Sequence, residues 1–257
     1  MRERNEHDRH ARSFDRAADV YDAARPGYPA EAVSWLLGEN EGEGAHPFEV
    51  RRVLDLGAGT GKLTAAAVDR GYDVVAVDPS PEMLGVLRDR LPGVDARIGS
   101  AEEIPVPDSS VDVVVCGQAW HWVRPDRAIP EVARVLRPSG TLGLVWNERD
   151  ESVGWVAELG ELMGTGEAYV GDEDEPVLTE PFGPLRTHEV SWVQAMTVEQ
   201  LLDLARSRSY FITKDAEAQT AVIASIRRLA AEHPDLRGRH TIELPYITRC
   251  YRAVRME

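Results

Sequence analysis

A short apolar run that leads directly into a glycine turn constrains the fold of this chain more than any other feature. Residues 52–56 read Arg-Val-Leu-Asp-Leu and are followed by Gly57-Ala58-Gly59-Thr60-Gly61, after which residues 63–68 are rich in alanine. Glycine permits positive φ values and lets the backbone approach a ligand closely. Open α/β proteins bind ligands where a strand turns into a helix at the carboxyl end of a parallel sheet. The motif therefore predicts a βα unit with a ligand site.

The same alternation of strand-like and helix-like segments continues along the chain. Strands are predicted at 52–56, 74–78, 96–99, 111–116 and 141–146. The helices between them are predicted at 63–68, 81–90 and 127–136. This alternation indicates βαβ units and a parallel sheet. The continuous apolar character of most of these strands suits burial on both faces, so helices are expected on either side.

The pattern is less regular outside residues 52–146. Further helices are predicted at 13–24, 30–38, 197–208 and 215–232, further strands at 188–196 and 241–255, and a solvated acidic loop at 172–175. We expect a single domain with an N-terminal helical cover (13–46), a ligand-binding core (47–150), a lid insertion (151–240) and a final strand (241–257). Because loops at this sheet edge carry function, the insertion is expected to cover the pocket and select the substrate.

Charge and composition narrow the possible partners. The net charge of −15 opposes binding to a phosphate backbone or an anionic membrane surface. No apolar run approaches the length of a membrane span, and residues 1–12 are polar and charged, without the apolar region of a secretion signal. A cytoplasmic protein is expected, with no nucleic-acid or membrane partner. Cys116 and Cys250 are predicted to be free, buried thiols, and no spacing suggests a metal site.

An acidic residue at the end of the second strand narrows the ligand. Asp78 follows the glycine turn by about 20 residues, where a carboxylate can accept hydrogen bonds from ribose hydroxyls. A dinucleotide fingerprint, G-x-G-x-x-G, would require glycine at position 62. This chain has Lys62 there. The spacing favours a nucleoside ligand other than a dinucleotide, with an NAD-type oxidoreductase as the less favoured alternative.

Four segments in order resemble the motifs of class I methyltransferases that use S-adenosylmethionine (SAM). They are VLDLGAGTG (53–61), VDPSPEML (77–84), GSAEEIP (99–105) and LRPSGTL (136–142). The resemblance implies a Rossmann-like, seven-stranded, mostly parallel sheet with helices on both faces and a helical lid insertion after the fifth strand. It implies SAM as cofactor and S-adenosylhomocysteine (SAH) as product.

The resemblance also assigns roles within the cofactor site. Gly57, Gly59 and Gly61 would line the methionine part of SAM, Asp55 would hold its amino group and Asp78 its ribose. The full set of implied cofactor-binding residues is Tyr21, Arg25, Asp55, Gly57, Ala58, Gly59, Thr60, Gly61, Asp78, Pro79, Met83, Ala101, Glu102, Gln118 and Ala119. Three of these have an equally ordinary structural interpretation: Met83 as plain core, Glu102 as an exposed side chain, and Arg25 as a surface arginine rather than a bidentate partner of the SAM carboxylate.

The stretch Gln118-Ala119-Trp120-His121-Trp122 resembles a subgroup of these enzymes, the type 11 or trans-aconitate-type small-molecule methyltransferases. Tyr21, Arg25 and the Pro26-Gly27-Tyr28-Pro29 turn match the same subgroup. Residues expected on the acceptor side are Trp120, His121, Trp122 and Tyr210. Arg206 and Arg208 either face an anionic substrate or belong to a solvated helix end.

His121 is the candidate catalytic residue, because the ordinary pKa of imidazole suits a general base near neutral pH. A second interpretation, that His121 forms a wall of the pocket or donates a hydrogen bond, stays open. The sequence thus predicts an enzyme that moves a methyl group from SAM to a small-molecule acceptor, at a hydroxyl or carboxylate oxygen, by in-line SN2 transfer. A monomer or homodimer is expected. The alternative in another class is a non-catalytic SAM-binding regulatory module.

Overall fold

The computed structural model describes residues 25–39, 52–163 and 175–256. The helix predicted at 13–24, the candidate Tyr21 and most of the acidic run at 172–175 lie outside these ranges.

Seven strands form one sheet in the order β3-β2-β1-β4-β5-β7-β6. Their bounds, from β1 to β7, are Arg52–Leu56, Asp73–Asp78, Asp95–Ile98, Val111–Gly117, Leu136–Arg149, Arg186–Met196 and Ile242–Val254. β1 pairs in parallel with β2 and β4, and so do β2 with β3 and β4 with β5. The first five strands follow the order of doubly wound nucleotide-binding sheets. The predicted seven-stranded, mostly parallel, Rossmann-like sheet is confirmed.

Eight α-helices accompany these strands in the described part of the chain. Their bounds, from α1 to α8, are Ala30–Leu37, Lys62–Val68, Pro81–Arg90, Pro125–Val135, Gly154–Met163, Val198–Arg206, Ser209–Ile212 and Ala216–Glu232. Local caps explain several boundaries. Ser80 accepts from the Met83 N–H at the start of α3, and Thr197 forms a reciprocal capping box with Gln200 at the start of α6. At the start of α8, the Asp215 side chain accepts from the Ala218 N–H at 2.8 Å.

The starts of α4 and β5 differ from the sequence prediction. α4 begins at Pro125 instead of residue 127, because proline is well suited to the first helical position. β5 begins at Leu136, so the prediction that this strand starts at residue 141 was wrong. The pairing of β4 with β5 shifts register between Val111 and Val113, and Ser139 adopts a φ of 63°. This irregularity accommodates Pro138 and Gly140 within the strand.

The chain divides into two compact units. Of the described residues, the first unit, here called the core unit, comprises 27–39, 52–147, 175–190 and 248–256. The second, the insert unit, comprises 25–26, 148–163 and 191–247. β5, β6 and β7 contribute residues to both units. The division into one domain with cover, core and lid stays a prediction.

Each unit has its own apolar core. In the core unit, the buried face of α1, with Val33 and Leu36, packs with Val53 of β1 and Val113 of β4. In the insert unit, residues of α5, α6 and α8 pack together, including Leu159, Leu201 and Leu229. Cys116 and Cys250 are free and buried, as predicted. Among the described helices, none combines the length and apolar character that crossing a membrane requires.

Candidate functional site

The glycine turn joins β1 to α2 in a backbone conformation that requires glycine. Gly57, Gly59 and Gly61 have φ values of 72°, 55° and 85°. A Cβ added at Gly57 would lie 2.7 Å from the Cβ of Ala119, whereas one at Gly59 would meet nothing within 4 Å. The N–H of Gly57 donates to the carbonyl oxygen of Val77 at 2.8 Å, which ties the turn to β2. The turn thus leaves open space beside Gly59.

Asp78 is held at the end of β2 by two backbone groups. One carboxylate oxygen accepts from the Gly59 N–H at 2.8 Å, and the other accepts from the Ser80 N–H at 2.8 Å. The side chain is largely buried, with 8% of its residue surface exposed. A carboxylate offers about four acceptor positions, which is more than these two backbone donors fill. Asp78 therefore orients the glycine turn and still suits a ribose diol.

Asp55 is a buried carboxyl group in β1, two residues before the turn. Thr64 of α2 donates its hydroxyl to Asp55 Oδ2 at 2.6 Å. Burial raises the pKa of Asp55 from 3.8 to about 7; the Thr64 hydrogen bond opposes this shift, and the charge of Asp78 adds to it. A buried carboxyl group with this pKa gains from a nearby cation, which fits the ammonium group of an amino acid.

The carboxyl end of β4 carries a strained glutamine. Gln118 has a φ of 58°, its N–H donates to the Val145 oxygen at 2.9 Å, and its Nε2 donates to the Asn147 oxygen at 3.2 Å. Its Oε1 is buried and has no hydrogen-bond partner among the described residues. Strained backbone and an unsatisfied buried acceptor together indicate a ligand site.

The segment after Gln118 forms a short 3-10 helix, Trp120–Trp122, which the sequence did not predict. Trp120 is buried, whereas His121 and Trp122 are exposed. The indole N–H of Trp146 donates to His121 Nδ1 at 3.4 Å. Because an indole N–H only donates, Nδ1 is the acceptor in this contact, which favours the neutral tautomer with its proton on Nε2.

The residues expected around adenine are only partly accessible. Met83 and Ala101 are buried, at 5% and 7% exposure. Glu102 accepts the N–H of Arg124 at 2.8 Å through Oε1, at the N-terminus of α4. Glu102 therefore caps the N-terminus of α4, whether or not it also contacts a ligand. Pro79, next to Asp78, is exposed.

Sequence reasoning missed Asn147, which supports the Pro26–Pro29 turn. Asn147 Nδ2 donates to the Gly27 oxygen at 2.9 Å, and Asn147 Oδ1 accepts from the Thr248 hydroxyl at 2.6 Å. A Cβ at Gly117 would overlap the Tyr28 hydroxyl oxygen, so Tyr28 lies directly against the end of β4. No sequence signal identifies Asn147, because its partners lie about 100 residues or more away in the chain.

Four described candidates do not belong to the core unit. They lie in the insert unit and are Arg25, Arg206, Arg208 and Tyr210. Tyr210 is 37% exposed, and the ammonium group of Lys214 lies 3.8 Å from its ring centroid. The other described candidates, from Asp55 to Trp122, all belong to the core unit. The described residues contain no cluster of ligands for a metal ion.

The donor and acceptor groups of the core unit fit SAM. Asp78 suits the ribose, Asp55 the amino group, and the Gln118 Oε1 atom lacks a donor that a ligand would supply. A Cβ added at Gly59 would have no other protein atom within 4 Å, so there is room for a ligand beside this glycine.

Comparisons with known proteins agree with this fit. The methyltransferase domain family matches residues 54–144. The chain is 54% identical over 241 residues to an uncharacterized methyltransferase of Mycobacterium tuberculosis, covering 94% of this chain and 95% of that protein. The malonyl-[acyl-carrier protein] O-methyltransferase of Methylococcus capsulatus is 43% identical over 97 residues, which is 35% of each chain. The structure of a proposed type II methyltransferase from Anaeromyxobacter dehalogenans shares the fold, with a TM-score of 0.64, 24% identity and coverage of 90% of this chain and 97% of that one. The chain belongs to the class I methyltransferases, which use SAM as cofactor.

Proposed function

We propose that this methyltransferase transfers the methyl group of SAM to an oxygen atom, hydroxyl or carboxylate, of a small-molecule acceptor. The observation that carries the cofactor part is the Asp78 carboxylate, which the Gly59 and Ser80 N–H groups hold beside the glycine turn. SAM supplies an electrophilic methyl group on a sulfonium. The net charge of −15 supports a small molecule over a nucleic acid as acceptor.

The cofactor would be held by groups from three strand ends. Gly57, Gly59 and Gly61 would line its methionine part, Asp55 would bind its amino group, and Asp78 its ribose. Adenine would lie against Met83 and the Ala101 backbone. The other residues assigned to this site are Ala58, Thr60, Pro79, Glu102, Gln118 and Ala119.

Oxygen is favoured as the atom that accepts the methyl group. The Methylococcus capsulatus relative is an O-methyltransferase, although the match covers only 35% of each chain. A carboxylate acceptor is already ionised at neutral pH and needs no general base. Alignment of nucleophile, methyl group and sulfur then supplies much of the rate.

The tautomer of His121 supports a binding role for this residue. Nδ1 accepts from Trp146, so Nε2 carries a proton and can donate a hydrogen bond to an acceptor oxygen. To act as a base, Nε2 would need the other tautomer, which would break the bond from Trp146. His121, with Trp120 and Trp122, is therefore assigned to binding of the acceptor, and Tyr210 keeps its predicted acceptor role.

The acceptor can be identified by incubating the protein and methyl-labelled SAM with a metabolite extract, followed by mass identification of the labelled product.

Asp78→Asn is expected to weaken SAH binding at least tenfold. Both carboxylate oxygens of Asp78 accept from backbone N–H groups, so the amide NH₂ of asparagine would face one of these donors without an acceptor. Asp95→Asn is the matched control, since Asp95 is a partly exposed carboxylate on β3 that pairs with Arg97. If wild type binds SAH but labels no product, the protein is a non-catalytic SAM-binding module. If it shows a thermal shift with NAD and none with SAH, the assignment of the cofactor fails.

A further inference from the structure

Asn147 joins three segments of the core unit that are far apart in the chain. It lies in β5 and is 5% exposed. Its Oδ1 atom accepts from the hydroxyl of Thr248 in β7 at 2.6 Å. Its Nδ2 group donates to the carbonyl oxygen of Gly27 at 2.9 Å, and its own carbonyl oxygen accepts from Gln118 Nε2 at 3.2 Å. Asn147 thus connects β7, the segment 27–29 and the end of β4.

The partners of Asn147 fix the direction of its side-chain amide. A backbone carbonyl oxygen only accepts, so the group that faces Gly27 must be the NH₂. Oδ1 then faces the hydroxyl of Thr248, which is completely buried. If the amide were turned over, Oδ1 would face the Gly27 carbonyl oxygen, and a buried acceptor without a donor is costly. The amide therefore has one arrangement, which holds Gly27 in place.

The segment that Asn147 holds brings Tyr28 to the end of β4. A Cβ added at Gly117, the last residue of β4, would overlap the Tyr28 hydroxyl oxygen and lie 3.0 Å from Tyr28 Cζ. The same Cβ would lie 3.3 Å from the Leu63 side chain of α2. Tyr28 also packs against the apolar core that contains Leu63 and Val115. Glycine at position 117 therefore leaves room for the tyrosine beside the start of α2.

This position of Tyr28 borders the glycine turn. Leu63 lies in the first turn of α2, whose N-cap residue is Gly61. On the other side of the turn, a Cβ added at Gly57 would lie 2.7 Å from the Cβ of Ala119, two residues after Gly117. Tyr28 consequently lies at the part of the site where the glycine turn is proposed to hold the methionine part of SAM.

Gln118 provides a second connection between Asn147 and the site. The Asn147 carbonyl oxygen accepts only, so Gln118 directs Nε2 towards it and turns Oε1 away. Oε1 is buried and has no hydrogen-bond partner in the part of the chain that the structure describes. Asn147 therefore orients a side chain that has an acceptor available for a ligand.

We propose that Asn147 is a positioning residue that holds segment 27–29, and with it Tyr28, against the end of β4, and so closes the cofactor site at the methionine part of SAM. Asn147 acts through Tyr28 and Gln118 and contacts no ligand itself. This inference rests on the proposed placement of the methionine part beside the glycine turn. Loss of the Asn147 amide is expected to weaken recognition of the amino-acid part of the cofactor and to leave recognition of adenosine intact.

Two ligands separate this role from a general effect on the fold. Calorimetry would measure the affinities for SAH and for 5′-methylthioadenosine, which lacks the amino-acid part. Asn147→Asp keeps the acceptor for Thr248 and the size of the side chain, but sets a carboxylate oxygen against the Gly27 carbonyl oxygen. Thr248→Val removes the hydroxyl that orients the amide, and Thr248→Ser keeps it.

Thr141→Val is the matched control. Thr141 is also buried, at 4% exposure, and lies on β5 opposite Val113 of β4. It is about 20 Å from Asn147 along the strand, from the rise per residue of a β-strand. A second comparison combines Asn147→Asp with Tyr28→Leu, because residues that act through one another have effects that do not add.

Asn147→Asp is expected to weaken SAH binding at least tenfold and 5′-methylthioadenosine binding less than twofold. Thr248→Val should weaken SAH about three- to fivefold, Thr248→Ser should recover most of that loss, and Thr141→Val should bind both ligands like wild type. Tyr28→Leu should weaken SAH as Asn147→Asp does, and the double variant should lose no more than about twofold beyond either single variant.

The proposal is overturned if Asn147→Asp binds SAH like wild type, if both ligands weaken equally, or if the losses in the double variant add. If Asn147→Asp does not fold, the two Thr248 variants decide in the same way, and equal weakening of both ligands in Thr248→Val overturns the proposal. Absence of SAH binding to wild type would refute the proposed function together with this inference. SAH binding to wild type with unchanged selectivity in the variants would overturn this inference alone.

Discussion

Asp55 links the stability of the protein to pH through its raised pKa. The carboxyl group has an ordinary pKa of 3.8 and a pKa of about 7 in the folded chain. Between these values the folded state retains a proton that the unfolded state has released, so stability falls as pH rises from about 4 to 7. The whole effect is roughly 4 kcal/mol, from the free energy per pH unit of a pKa difference. Above pH 7 both states are ionised and the loss is complete.

Asp55→Asn is expected to remove this pH dependence, because asparagine resembles the protonated acid. Denaturant unfolding of both proteins without cofactor would show similar stability near pH 4 and a more stable variant at pH 8. The variant should also lose affinity for SAH, since it has no charge for the ammonium group. Parallel curves for the two proteins from pH 4 to 8 would contradict the assignment of the raised pKa to Asp55.

His121→Gln tests whether the imidazole binds or acts as a base. Glutamine places an N–H donor near the position of Nε2, so a binding role predicts a loss in kcat of less than about tenfold. Removal of a general base costs about 10²- to 10⁴-fold. The pH profile of kcat gives the second measurement, because a base would leave an acidic limb that disappears in the variant. Loss of that limb together with a hundredfold fall would assign His121 as the base.

The turn between β1 and α2 distinguishes two glycines that look equivalent in the sequence. A Cβ at Gly61 would lie 2.8 Å from the Leu87 side chain of α3, whereas a Cβ at Gly59 meets no atom within 4 Å. Both have positive φ, which costs a non-glycine residue about 1 kcal/mol or more. Gly61→Ala should therefore lower the melting temperature more than Gly59→Ala.

Gly59→Ala should instead show the larger loss of SAH affinity relative to its loss of stability, since its methyl group would enter the open space of the site. Calorimetric melting and SAH titration of both variants provide the comparison. If both variants lose the same stability and the same SAH affinity, the prediction that Gly61 serves packing and Gly59 serves cofactor binding is wrong.

The elements that sequence reasoning located well are those with a strong local signal. The apolar run 52–56 and the glycine turn are such signals. The start of β5 was missed because Pro138 and Gly140 resemble helix and strand breakers, and only the partner strand β4 shows that they lie in an irregular strand. α7 has four residues, too few for helical periodicity.

The residues of the site also divide into those with a local sequence signal and those without one. The glycines, Asp55 and Asp78 follow from one local motif and the residue at the next strand end. Asn147 acts through contacts between distant segments, so a local pattern carries no trace of it. Arg208 and Arg206 differ by two positions and could be separated only by their burial.

At the scale of the molecule, the residues proposed to bind the cofactor gather in one unit. Apart from Arg25, the described residues of this set belong to the core unit. A ligand that binds only the folded state stabilises it by about 2.7 kcal/mol at a concentration of 100 Kd. Backbone segments that contact the ligand then open less often, so their amide hydrogens exchange more slowly.

Hydrogen–deuterium exchange should therefore map the cofactor site. SAH is expected to slow exchange in peptides that cover the glycine turn and the start of α3, where Gly59 and Ser80 donate to Asp78. The Asp78→Asn variant should lose this protection, whereas the Asp95→Asn control should keep it. If SAH leaves exchange in these peptides of the wild type unchanged, the assignment of the glycine turn and Asp78 to the cofactor fails.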